Sequence, residues 1–284
     1  MHKHLKPKWR IFIPVIGMIC AVLVLFAAVY SSCQDQQISA EKDHYAKLMD
    51  TAPDAGILQA AAAGDSVRLG YFIGQGGNIN TVDQAGRSAL MLAIQFDHPN
   101  IIKYLLQCNA DTSITDSLGY FALKIAAERG NIEAMKLLLN SKCNIDQGSE
   151  KADTALLAAC RNGHRAAVAL LLQKKAALWP GRAAGRGALV SSLRNYQTEI
   201  ARALLQHGAD INEQDELGNT AFMLAIKSGN AELVSEILKN HPVDLQHVNQ
   251  AGENAMMLAQ KNPNKQILHV LKEYIAQTES SGKQ

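Results

Sequence analysis

Asp83–Thr115 reads DQAGRSALMLAIQFDHPNIIKYLLQCNADTSIT, and the sequence from Asp215 begins DELGNTAFMLAIKSGNAELVSEIL. The two are copies of one pattern, and the pattern recurs every 33 residues. Gly86, Gly119, Gly185 and Gly218 stand in register, with Ala152 in the missing place. So do Ala89, Ala122, Ala155, Ala188 and Ala221, and so do Ala93, Ala126, Ala159 and Ala225, where the fifth copy has Ser192. Copies start near Asp50, Asp83, Asp116, Ser149, Arg182, Asp215 and Asn249, the last after 34 residues. Six copies in one register are not a chance event, and a period of this length marks a chain built from stacked supersecondary units. Together the copies cover Asp50 to about Tyr274.

A single unit of this kind cannot bury its own apolar face. Leu105-Leu106, Leu137-Leu138-Leu139, Leu170-Leu171-Leu172 and Leu204-Leu205 recur on the second half of successive copies, so each copy covers the next in one continuous core. The recurring alanines of the first half let neighbouring copies approach closely. Aromatic residues make up 5% of the chain and hydrophobic residues 48%, which suits thin helices packed close together.

The copies resemble the ankyrin repeat, whose pattern runs D-x-x-G-x-T-P-L-H-x-A-A-x-x-G-H, then an apolar second helix, then G-A-D. Gly208-Ala209-Asp210 matches that ending. The resemblance implies an all-α solenoid of about seven helix-turn-helix repeats over residues 50–275. Ala replaces the family's Pro at the start of the first helix, which predicts looser turns. The family's Gly after the second helix adopts a left-handed conformation. Gly76 and Gly208 keep it, Asn109 is an acceptable substitute, and Lys142, Lys175 and His241 are poorer, at about 1 kcal/mol each. His98 and His164 sit at equivalent places just before the second helix and read as structural residues.

Ahead of the repeats, Ile11–Tyr30 is an uncharged run of 20 residues. As a helix it spans roughly 30 Å, the thickness of a bilayer's hydrocarbon core. Lys3, Lys6, Lys8 and Arg10 precede it, so the positive-inside rule places everything after Tyr30 across the membrane. Residues 1–33 therefore read as one N-terminal transmembrane or signal helix in one of two forms. One is an uncleaved signal anchor. The other is a lipoprotein signal cleaved before Cys33 and lipidated there, because Tyr30-Ser31-Ser32-Cys33 resembles a lipobox. Residues 34–49 form a tether and a short capping helix from Ser39, and Gln277–Gln284, within a polar tail over 276–284, reads as disordered.

Several classes of function are disfavoured. The formal net charge of +2 becomes −2 once the four N-terminal cations are set aside, which argues against nucleic acid as a partner. Cys20, Cys33, Cys108, Cys143 and Cys160 show no CxxC pair or zinc-like spacing, so no metal and no cofactor is expected. No GxSxG, HExxH or GxxxxGK[ST] string occurs, and no catalytic residue is assigned.

In ankyrin stacks the ligand usually meets the turn tips and the exposed side of the first helices, which form a concave groove. On that face Phe96, Leu118 and Tyr120 are apolar or aromatic where the fold does not require it. Packing of Phe96 against its own turn, and of Leu118 against the next, is the alternative. The fifth copy replaces the acidic turn with a Gly-rich basic one. Its Trp179, Arg182, Arg186 and Arg194, extended by Arg129 and Arg161, read as a cationic patch for an acidic partner, against the alternative of a drifted repeat. The expectation is a protein partner. The resemblance and the N-terminal segment together suggest a membrane-anchored protein facing the periplasm. Membrane-tethered ankyrin proteins of that kind include immunity proteins against type VI secretion effectors such as phospholipases. A periplasmic scaffold or stress-protection protein supporting an enzyme is the other reading.

Overall fold

The computed structural model describes residues 52–148, 153–178 and 187–281. Ile11–Tyr30, Cys33 and the expected capping helix within 34–49 lie outside them. Among the described residues there are fourteen helices and no strands, and no helix is long and apolar enough to cross a membrane. The helices pair along the chain: α1 Pro53–Ala63 with α2 Ser66–Gly74, α3 Ala89–Gln95 with α4 Pro99–Gln107, and α5 Ala122–Glu128 with α6 Ile132–Asn140. Then come α7 Ala155–Asn162 with α8 Arg165–Gln173, α9 Ala188–Arg194 with α10 Thr198–Gln206, α11 Ala221–Lys227 with α12 Ala231–Asn240, and α13 Ala255–Lys261 with α14 Lys265–Ser281. The first helices form one row, each packed on the next from α1 to α13. The second helices form the other row, continuous from α2 to α10 and again between α12 and α14. Where α10 meets α12, Arg202 spans the gap, its guanidinium on Glu232 at 3.3 Å and on Glu236 at 2.8 Å.

The two sequence periods find their places in these rows. Ala89, Ala93, Ala122, Ala126, Ala155, Ala159, Ala188, Ala221 and Ala225 are buried on the first helices, and Ser192 is buried in the same register. Leu105, Leu138, Leu171 and Leu204 are fully buried on the second. Most first helices carry a side-chain cap. Ser88, Thr154, Thr220 and Asn254 each accept a hydrogen bond from the third backbone N–H of the helix that follows, replacing a donor partner that every helix start lacks. This conserves the start of each first helix without the expected Pro. The second helices are tied backwards. His98 Nε2 lies 3.0 Å from the Ala62 carbonyl and His164 Nε2 lies 2.8 Å from that of Glu128, so each ring joins its repeat to the one before.

The left-handed positions after the second helices are as expected in five copies and not in the sixth. Gly76, Asn109, Lys142, Lys175 and Gly208 all have positive φ, from 59° to 88°. His241 does not: its φ is −132° and ψ is 142°. Pro242 follows it, and a residue before proline is pushed into the extended region. The chain leaves α12 by another route, and the next copy starts one residue late. The expected disordered tail is also corrected. Helix α14 continues through Ser281, with the Thr278 hydroxyl bonding back to the Ile275 carbonyl at 2.8 Å.

Candidate functional site

The inner face of the stack is built from the turns that precede the first helices and from the exposed side of those helices. Each described turn is held by one Asx side chain. Asp83 Oδ1 accepts from the backbone N–H groups of Ala85 and Arg87, both at 2.9 Å. Asp116 does the same for Leu118 and Tyr120, Asp215 for Leu217 and Asn219, and Asn249 for Ala251 and Glu253. Neighbouring turns lie side by side, since the Ser117 N–H donates to the Ala85 carbonyl and that of Gln250 to Leu217. The approach requires glycine at Gly86: its φ is 82°, and a Cβ there would stand 3.1 Å from the backbone of Asp116. Only a residue free of the left-handed penalty and of side-chain bulk fits.

From these turns a series of side chains runs along the first helices. Arg87 pairs with Asp83 at 2.7 Å and its guanidinium donates to Gln95 at 3.3 Å. Arg161 pairs with Asp153 at 2.5 Å, Arg194 with Glu216 at 2.6 Å, and Lys261 with Glu253 at 2.5 Å. Lys227 donates to Asn219 at 2.8 Å, and Asn249 donates to the same oxygen. The sixth and seventh repeats thus enclose a cleft of about 290 Å3 lined by Leu217, Asn219, Lys227, Asn249, Gln250, Ala251 and Glu253.

The residues singled out from the sequence are distributed over this face. Leu118, at 77% exposure, is the tip of the turn before α5, and Tyr120 lies half-buried behind it. Phe96, at 51% exposure, closes α3 at its C-terminal end. Phe96 therefore lies at the end of its first helix and Leu118 on a turn tip of the next repeat, so the two are not one cluster on the same turn. The Tyr120 hydroxyl is pushed up by Glu128, by burial and by Asp116, and the charge of Arg161 opposes the shift. Arg161 and Arg194 are each held by an acid, so the positive charge expected along the first helices is balanced there. Arg129 is exposed and takes no ion pair among the described residues. Trp179, Arg182 and Arg186 lie outside the described residues.

Two residues of this region were not found by sequence reasoning. Lys124, on α5, is 6% exposed, with its ammonium 3.9 Å from the centre of the Tyr120 ring. Glu213 is 8% exposed, and its Oε1 accepts from the Val190 N–H at 2.7 Å, so a carboxylate from the junction between the fifth and sixth repeats caps α9. Burial pushes the Glu213 carboxyl up to about 7. Burial also pushes the Cys143 thiol up to about 11 and that of Cys160 to about 12, which keeps both protonated and unreactive at neutral pH.

Comparison with known proteins adds to this geometry. The model of a family described as ankyrin repeats (three copies) matches residues 57–149, 141–215 and 192–281. The ankyrin repeat domain of human ASB11 superposes with a TM-score of 0.62 at 24% identity, over 75% of this chain and 96% of that one. The ankyrin repeat domain of Bcl-3, a member of the IkappaB family, gives 0.66 at 22% identity, over 78% and 98%. A search of curated proteins by sequence returns no match. Paired helices with buried alanines, Asx-held turns laid side by side and a family model spanning most of the repeats lead to one assignment: the chain belongs to the ankyrin repeat family.

Proposed function

We propose that this chain is a membrane-anchored periplasmic protein that binds a partner protein through the groove formed by its turn tips and first helices. Its finer assignment is an immunity protein that neutralises a secreted phospholipase effector. The ankyrin repeat fold is one typical of protein–protein interaction, and the groove reading rests on Leu118 above all. A leucine at 77% exposure on a turn already held by Asp116 adds nothing to the fold. With Tyr120 behind it and Arg129 on the same repeat, it has the composition of a binding hot spot. The membrane and periplasmic parts are supported by the Ile11–Tyr30 run with its N-terminal cations, and the immunity role by resemblance.

The test is co-expression with the product of the neighbouring gene, directed to the periplasm, alongside assay of that product for phospholipase activity. Protection of the host, co-purification of the two proteins, and loss of both with Leu118→Ser and Tyr120→Ala are expected. Binding without protection would favour the scaffold reading, and no binding would end the groove assignment. Fractionation of Cys33→Ala separates the two anchors: release from the membrane marks the lipid form, retention the signal anchor.

A further inference from the structure

Lys124 is the third residue of α5, and at the equivalent place the first helices of four other repeats carry Met91, Leu157, Val190 and Met223. All four are apolar and 2% exposed or less, and Lys124 is 6% exposed in the same register. A lysine there is a departure that the packing does not call for. Its ammonium has three donors, and burying such a group without acceptors is costly. Among the described residues it takes no hydrogen bond and no ion pair, and its one close polar feature is the face of the Tyr120 ring at 3.9 Å.

Among the described residues, the neighbouring acids are engaged elsewhere or make no ion pair with Lys124. Asp116 accepts from the Leu118 and Tyr120 backbone, and Asp153 is paired with Arg161. Glu128 lies one turn further along α5, near enough to act on the Tyr120 hydroxyl, yet it makes no ion pair with Lys124. The inner face thus presents the ammonium of a side chain that is 6% exposed, flanked by an aromatic ring and set in the same repeat as the exposed Leu118. A carboxylate arriving there would gain charge-assisted hydrogen bonds in a low-dielectric setting.

We propose that Lys124 is a specificity-determining residue of the groove, which takes the carboxylate of an Asp or Glu side chain of the partner against the Tyr120 ring, with Leu118 covering the contact. The inference rests on the groove being the partner site. It differs from the expected basic patch in the fifth repeat: the selective charge is a single buried one, in the third.

The experiment is selection of random short peptides displayed against the whole chain, repeated with Lys124→Met and with Leu118→Ser. Met already occupies the equivalent place at Met91 and Met223, so Lys124→Met is expected to fold with an unchanged or higher Tm. The wild type should enrich peptides with an acidic residue at one fixed position. Those peptides should bind Lys124→Met at least about tenfold more weakly, with partial recovery in Lys124→Arg. Enriched peptides that need Leu118 but show no acidic preference would overturn the role of Lys124 and leave the groove in place. A Tm drop in Lys124→Met with equal loss for acidic and neutral peptides would make the residue structural and would also overturn it. A pool indifferent to Leu118→Ser would remove the groove reading and this inference together.

Discussion

The fifth and sixth repeats stand next to each other and reach the same fold by different means. The sixth is self-contained. Asp215 holds its own turn, Thr220 caps its own first helix, and Gly229 fills the left-handed position between its two helices. The fifth has Gly187 at the cap position, with no side chain to offer, and carries Tyr196 at the left-handed place between its helices, with φ of 57°. Its missing cap comes from Glu213, at the junction with the sixth. The exchange is geometric as well as chemical, because a Cβ on Gly187 would collide with the Glu213 carboxylate. A missing local cap in one unit of a solenoid is thus offset by a residue at the junction with its neighbour, where unit and nearest-neighbour contributions to stability meet.

The largest effect should come from unmaking the self-contained turn. Asp215 is 4% exposed and accepts from Leu217 N, Asn219 N and Asn219 Nδ2. Asp215→Ala leaves buried donors without partners and should cost about 3 kcal/mol or more in urea unfolding. A loss below about 1 kcal/mol would mean that this turn, too, is held by its neighbours.

The borrowed cap should show itself through pH. Burial pushes the Glu213 carboxyl up to about 7 in the folded chain, from the ordinary glutamate value of 4.5. Between those values the folded state holds a proton that the unfolded state has released, so stability falls as pH rises through the window. The contribution is present below the unfolded value and is lost by about pH 7, on the order of 2 to 3 kcal/mol. Glu213→Gln keeps an acceptor for Val190 and cannot ionise, so it should flatten that slope and be the more stable protein at pH 8.

Smaller effects sharpen the contrast further. Lys175→Gly and Tyr196→Gly relieve side chains held at positive φ, and each should stabilise by about 1 kcal/mol. The same change at Gly208 has no counterpart to relieve. Leu118→Ser, on a turn tip, should alter stability by less than about 0.5 kcal/mol, which makes it a clean probe of binding.

How much of this the sequence revealed follows from the range of the interactions. The helical pairs, the buried alanines and leucines, the roles of His98 and His164 and the strained Lys142 and Lys175 all repeat at one period, so a register exposes them. His241 was misread because Pro242 overrides the register locally. Glu213 could not be found in that way: its partner Val190 lies 23 residues before it, and no other copy repeats the arrangement. Lys124 was visible as a departure from the family's His, but its burial and its lack of an acceptor belong to packing. Arg161 and Arg194 read as free cations in sequence because the acids that hold them, Asp153 and Glu216, come from a turn and from the next repeat.

The most direct measurement is amide hydrogen exchange at Val190 beside Met223, the equivalent residue of the sixth repeat. In the wild type both should be protected, Val190 by Glu213 and Met223 by Thr220. In Glu213→Ala the Val190 amide should exchange about tenfold faster or more, with Met223 unchanged. A Val190 amide that is unprotected in the wild type, or indifferent to the loss of Glu213, would contradict the borrowed cap and the account of the fifth repeat built on it.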